Sequence, residues 1–244
     1  MKISFTFFSF LMFQCLMIHG QQGERYYRFN LIDLFADQQL KETNSFTFLT
    51  ENTLIGKVFC INKNDEKEDI YPADLVYWVI NGTAKLKIGK TVISLDKGSI
   101  AFVPRNMPHS FYDITVSLQI FALISLENKS KQDTLSMSFT MEQIEKERIK
   151  DQNVWNPFLK RPSMTFGLYM LPKSVNGDSL LIHRWDEVNL ITNGNGKFQV
   201  NDQIMDVKPG DIIYVQKGNG HFFHSIQQDL DILIFFEKRS VQEQ

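Results

Sequence analysis

The chain has 244 residues, 43% of them hydrophobic and 22% charged, enough apolar material for one large core or two small ones, which excludes a disordered or fibrous protein. Its 26 basic and 28 acidic residues leave a formal charge of -2 with the two signs mixed along the sequence, which argues against a nucleic-acid partner. Phenylalanine is over-used, 21 residues against 7 Tyr and 3 Trp, as expected where cores or a pocket are packed with unadorned rings.

Residues 1–21 open with Lys2 and an apolar run from Ile3 to Ile18 that ends at small, polar residues around Gly20. That is the three-part pattern of a secretory signal, and the run is too short for a membrane span. The expectation is an exported protein, periplasmic or extracellular. A lipid anchor on Cys15 is the lesser alternative, because Met12-Phe13-Gln14 before it are large and Leu16-Met17-Ile18 prolong the apolar run. With Cys15 removed, Cys60 reads as a free, buried thiol and no disulfide framework exists.

Sliding the sequence against itself by 112 positions aligns Tyr71–Phe121 with His183–Leu233 without a gap, and 13 of the 51 pairs are identical, among them Asn81, Gly82, Gly98 and His109. A repeat this long suits two copies of one domain rather than solenoid units. Lys85-Leu86-Lys87-Ile88 and Lys197-Phe198-Gln199-Val200 alternate with period two, which predicts half-buried strands. Asn81-Gly82, Asn201-Asp202 and Pro209-Gly210 are turn chemistry, with Asn-Gly the strongest hairpin signal. Short strands so punctuated predict an all-β fold of two barrels or sandwiches. Between the copies, Asn128–Thr134 reads as a loop, 141–150 as a short charged helix packing with the second domain, and Trp155–Pro162, with two prolines, as irregular. The expected domains are 22–130 and 131–244.

Gly98, Pro104 and His109 in one copy, and Gly210, Gly218 and His221 in the other, resemble the second motif of the cupin superfamily. Departures are Asn106 for the family's second glycine, Gln216 for its proline, and Asp113 and Ser225 for its final asparagine. Two such matches at one internal offset identify the chain as similar to bicupins, which implies two jelly-roll barrels. His183 and Glu187 fall at the second histidine and the glutamate of the family's first motif, while Leu181 stands at its first histidine. The resemblance therefore implies a metal site from His183, Glu187 and His221, with His224 as a fourth ligand or a pocket residue, and Glu187 as the catalytic group.

Two imidazoles and a carboxylate suit a divalent first-row metal with open positions: Fe(II), Mn, Ni or Zn. On a straight strand His183 and Glu187 would lie roughly 13 Å apart. They converge only if Arg184-Trp185-Asp186 turns the chain, so a corner is expected there. At the same offset the first copy keeps only His109, with Tyr71, Leu75 and Tyr112 facing His183, Glu187 and His224, so its site is degenerate. Trp185, Tyr214 and either Phe222 or Phe223 are expected to line the substrate pocket. Two functions remain open: a metal-dependent enzyme acting on a small organic molecule, of dioxygenase, isomerase or lyase type, or a non-catalytic binder of a sugar or organic acid. Either takes a small-molecule ligand, as a monomer or homodimer.

Overall fold

In the computed structural model, residues 25–127 apart from 64, 66 and 67, and residues 135–238 apart from 152 and 153, are described. The expected leader with Cys15, the loop at 128–134 and the domain boundary near 130 lie outside them.

The first repeat runs β1 (Tyr26–Asn30), α1 (Leu31–Ala36), α2 (Gln38–Thr43), β2 (Ser45–Glu51), β3 (Leu54–Ile61), β4 (Glu68–Asp69), β5 (Asp74–Asn81), β6 (Ala84–Ile88), β7 (Thr91–Leu95), β8 (Ser99–Val103), β9 (His109–Tyr112) and β10 (Leu118–Ser125). The second runs β11 (Met137–Thr140), α3 (Met141–Asp151), β12 (Trp155–Lys160), β13 (Met164–Leu171), β14 (Leu181–Ile182), β15 (Asp186–Asn193), β16 (Gly196–Val200), β17 (Gln203–Val207), β18 (Asp211–Val215), β19 (Gly220–His224) and β20 (Leu230–Glu237). Each barrel closes a six-stranded sheet over a four-stranded one. The orders are β11-β8-β5-β10-β3-β2 over β4-β9-β6-β7, and β1-β18-β15-β20-β13-β12 over β14-β19-β16-β17. The fold is all-β, as expected.

The pattern of each strand follows from its layer. Strands β6 and β16 face the barrel interior on one side only and bury alternate residues. Strands β8 and β18 are buried throughout, because the two six-stranded sheets pack face to face. Val76, Phe102 and Phe121 from one sheet meet Val188, Tyr214 and Phe235 from the other in a shared core. Their strand neighbours Leu75, Tyr77 and Ile191, Ile213 turn into the two barrel interiors.

The repeats also exchange strands. β1 pairs with β18, Tyr26 opposite Val215, while β11 pairs with β8, Met137 opposite Phe102. The segment 137–140, assigned by the sequence to the second domain, thus completes the first barrel's sheet. Two buried hydrogen bonds add polar pins across the join. Ser163 Oγ donates to Asp74 Oδ2 at 2.6 Å, and Ser125 Oγ donates to Glu237 Oε1 at 3.3 Å.

Several local expectations change. Asn81-Gly82 is not a hairpin turn: β5 and β6 lie in different sheets, and Gly82, at φ +92, carries the chain round the corner between them. Tight two-residue hairpins lie at 52–53, 89–90 and 201–202, where Glu51 pairs with Leu54, Ile88 with Thr91 and Val200 with Gln203. Trp155–Lys160 is a strand despite Pro157, because β12 is an edge strand and its register shifts between Asn156 and Leu159. Cys60 is only half-buried, its Sγ 3.0 Å from Ser117 Oγ. Helices α1 and α2 were not anticipated, although Asn30 and Asp37 cap them through Ile32 N and Gln39 N.

Candidate metal centre

The second barrel gathers His183, Glu187 and His221 at one end of its interior. Pairing of Leu181 with His221 and of Ile182 with Gly220 lays β14 beside β19 in the four-stranded sheet. The chain then turns at Arg184 and Trp185 and enters the six-stranded sheet at Asp186. This is the corner that convergence requires. Asp186 pins it, its Oδ1 accepting from Lys217 N at 3.0 Å and its Oδ2 from Tyr214 Oη at 2.9 Å. His183 O accepts from Gly218 N, so the two loops that carry the imidazoles are tied together.

Glu187 Oε2 lies 3.1 Å from His221 Nε2 and 3.5 Å from His183 Nε2, and one ligand atom from each residue falls within 4.8 Å of the others. Glu187 and His221 are buried, with 3% of each side chain exposed, and His183 is 29% exposed at the open side. His221 Nδ1 is 3.0 Å from Asn219 O. A carbonyl only accepts, so Nδ1 carries the proton and the Nε2 lone pair points at the cluster, as a metal-bound imidazole requires. Apart from each other, neither Glu187 Oε2 nor His221 Nε2 has a hydrogen-bond partner. Two buried acceptors directed at one point are costly on their own and fit a cation between them. Burial would lower the His221 pKa, but the Glu187 carboxylate, helped by the Asn219 carbonyl and Asp178, outweighs it and the net direction is up. Burial lowers His183, with Glu187 only partly opposing.

The remaining expected site residues scatter. His224 is not in the cluster: alternation along β19 turns His221 and Phe223 inward and His224 and Phe222 outward. The outward His224 bonds Ser225 Oγ at 3.0 Å and packs against Phe222. Of the two phenylalanines, Phe223 is the interior one, 4.7 Å from Phe198 between ring centroids, so Phe222 leaves the pocket assignment. Tyr214 is also outside the pocket, since β18 turns Ile213 and Val215 into the barrel and Tyr214 into the core shared with the first barrel. Trp185 is half-buried at the rim beside Phe236, with the Arg184 guanidinium 4.9 Å over its ring.

The sequence reading missed four interior residues. Phe236 packs edge-on to His183 at 4.9 Å. Tyr169 Oη donates to Asp178 Oδ2 at 3.2 Å, and Asp178 Oδ1 accepts from Phe223 N at 2.7 Å. Burial raises the Asp178 carboxyl. Asn189, two residues beyond Glu187 on the same face of β15, is fully buried. Strand parity counted from Glu187 was the available signal for Asn189.

The first barrel repeats the frame without the ligands. His109 Nδ1 is 3.1 Å from Met107 O, the counterpart of Asn219, but its Nε2 meets the Tyr77 hydroxyl at 2.9 Å. Leu75 stands where the second barrel has Glu187, and burial lowers the His109 pKa.

Residues 182–234, which include all three clustered residues, match the family model for the AraC-like ligand binding domain. An uncharacterized protein of Streptomyces coelicolor is 32% identical over 99 residues, 41% of this chain and 93% of the relative. Among solved structures, a cupin 2 conserved barrel domain protein of Leptotrichia buccalis is similar at 15% identity and a TM-score of 0.63 over 80% of this chain and 88% of that one. The Ylba protein of E. coli is similar at 14% identity and a TM-score of 0.70, over 89% and 93% of the two chains. The chain therefore has the cupin fold. Salicylate 1,2-dioxygenase of Pseudoaminobacter salicylatoxidans shares the fold at 10% identity and a TM-score of 0.73, over 91% and 83% of the two chains. With two such barrels in one chain, the architecture is that of a two-barrel cupin fold. No helix among the described residues is long and apolar enough to cross a membrane.

Proposed function

We propose that the second barrel holds a divalent first-row metal on His183, Glu187 and His221 and acts as a metal-dependent enzyme on a small organic molecule. The observation that carries this reading is the pair of buried ligand atoms with no partner outside the cluster, Glu187 Oε2 and His221 Nε2, 3.1 Å apart with His183 beside them. Two neutral imidazoles and one carboxylate suit Fe(II), Mn, Ni or Zn and leave positions open for ligands. A metal so bound supplies Lewis-acid polarisation of a substrate oxygen or a site for dioxygen. The chain's own residues do the rest. Asn219 fixes the His221 tautomer, Phe198, Phe223 and Phe236 exclude water, and Glu187 serves both as ligand and as the group that takes or returns a proton.

The likeness to salicylate 1,2-dioxygenase supports the enzymatic reading. The match to the AraC-like ligand binding domain favours a second one, in which the same pocket captures a small acid or sugar without turnover. Export through the leader at 1–21 belongs to the proposal in either case.

Elemental analysis of the purified full chain tests the metal. About one equivalent of Fe, Mn, Ni or Zn is expected, lost in His183→Ala and Glu187→Ala. Wild-type protein that stays metal-free after incubation with each ion overturns the assignment.

A further inference from the structure

Asn189 is a fully buried polar side chain near the cluster, with 0% of the residue exposed. Both of its amide atoms, Oδ1 and Nδ2, lack hydrogen-bond partners. Its cross-strand neighbours are Ile213 on β18 and Ile234 on β20, and the interior around them is built from Ile191, Val215, Phe198 and Phe223. Leucine or isoleucine would pack there at lower cost, since a buried amide with nothing to bond is destabilising. The first barrel shows what the same position does when the interior is closed. Its residue is Tyr77, whose ring fills the space and whose hydroxyl satisfies His109 Nε2. Replacing that tyrosine by asparagine removes the plug and leaves an amide without partners in its place.

Resting on the metal reading above, we infer that Asn189 is a ligand-contacting residue that binds the uncharged end of a compact hydroxy- or oxo-monocarboxylic acid. Charge selects the class. A divalent ion on two neutral imidazoles and one carboxylate keeps a net charge of about +1, which one carboxylate of the ligand neutralises. Among the described residues no Lys or Arg of the second barrel is buried, so nothing there would pair a second carboxylate. The far group must instead offer a neutral donor or acceptor to the amide, which a hydroxyl or carbonyl does and a methyl does not. The apolar walls suit a small hydrocarbon body between the two ends.

The test uses full-length protein reconstituted with Co(II) after chelation. Metal content is measured first, then the affinity for acetate, glycolate, 3-hydroxypropanoate and pyruvate from the cobalt absorption spectrum. Wild type is expected to prefer at least one of the three oxygenated acids to acetate by tenfold or more. Asn189→Leu should keep one Co(II) per chain and its acetate affinity within twofold, while that preference falls to twofold or less. Asn189→Ser, too short to span the same gap, should behave likewise and covers the case in which the leucine variant does not fold. A preference retained in a folded variant, or absent in wild type, overturns the role of Asn189 while leaving the metal site standing. Failure of wild type to take up Co(II) removes the metal reading and this inference together.

Discussion

The two barrels share a frame and differ in what occupies its centre. In both, a histidine at the start of a strand has its Nδ1 3.0–3.1 Å from a carbonyl two residues earlier, which aims Nε2 into the barrel. In the first barrel that nitrogen is satisfied by the Tyr77 hydroxyl and flanked by Leu75. In the second it faces Glu187, with Asn189 where the tyrosine stood and His183 completing the group. The frame is a property of the fold, and whether it becomes a site depends on three positions along β5 or β15 and the corner before it. The same histidine responds in opposite directions. Burial alone lowers His109, whereas a carboxylate at 3.1 Å raises His221.

The strongest way to break this contrast is to give the second barrel the first one's residue. Glu187→Leu should abolish metal binding in elemental analysis while the protein stays folded, because an apolar side chain there packs well in the first barrel. The reciprocal Leu75→Glu alone should not create a second site, since Tyr77 still engages His109 and Tyr71 offers no imidazole. Metal content rising above that of wild type would contradict the plug.

A smaller effect comes from pH. In metal-free protein the raised pKa of His221 means that its charged form adds stability. That contribution is fully present below the ordinary histidine value near 6.5 and is lost as the pH rises through the raised value. Metal binding must expel that proton, so Zn(II) affinity should fall about tenfold per pH unit below the raised value. Isothermal titration across this range checks it, and a pH-independent affinity would mean that His221 is not a ligand.

Tyr77→Phe should destabilise the chain by about 1–3 kcal/mol in denaturant unfolding, because it strands a buried imidazole nitrogen, and should leave metal content unchanged. The smallest effect is expected from His224→Ala, whose ring faces outward. Metal affinity within twofold of wild type sharpens the assignment to three ligands, and a loss of tenfold or more would restore His224 as a fourth.

What the sequence made legible was local. The two-residue alternation and the His183–Glu187 pair with its required corner depend on neighbours within a few residues, and the repeat on a single gapless offset. The parity of β18 was not so decided. Tyr214 and Ile213 are both apolar enough for either face, and the sheet is buried on both, so the phase of the strand is set by tertiary packing. Asn81-Gly82 has hairpin chemistry, yet the closure of a barrel from two sheets uses the same positive φ for a crossing. Asn189 went unnoticed because an asparagine in a strand has many uses: parity from Glu187 puts it on the interior face, and its burial without partners singles it out.

The exchanged first strands bear on how the molecule is held as one object. Since β1 completes the sheet of the second barrel and β11 that of the first, the halves are clasped like folded arms. A proteolytic nick between them would leave two fragments that stay associated, and neither half expressed alone would carry all the strands of its own barrel.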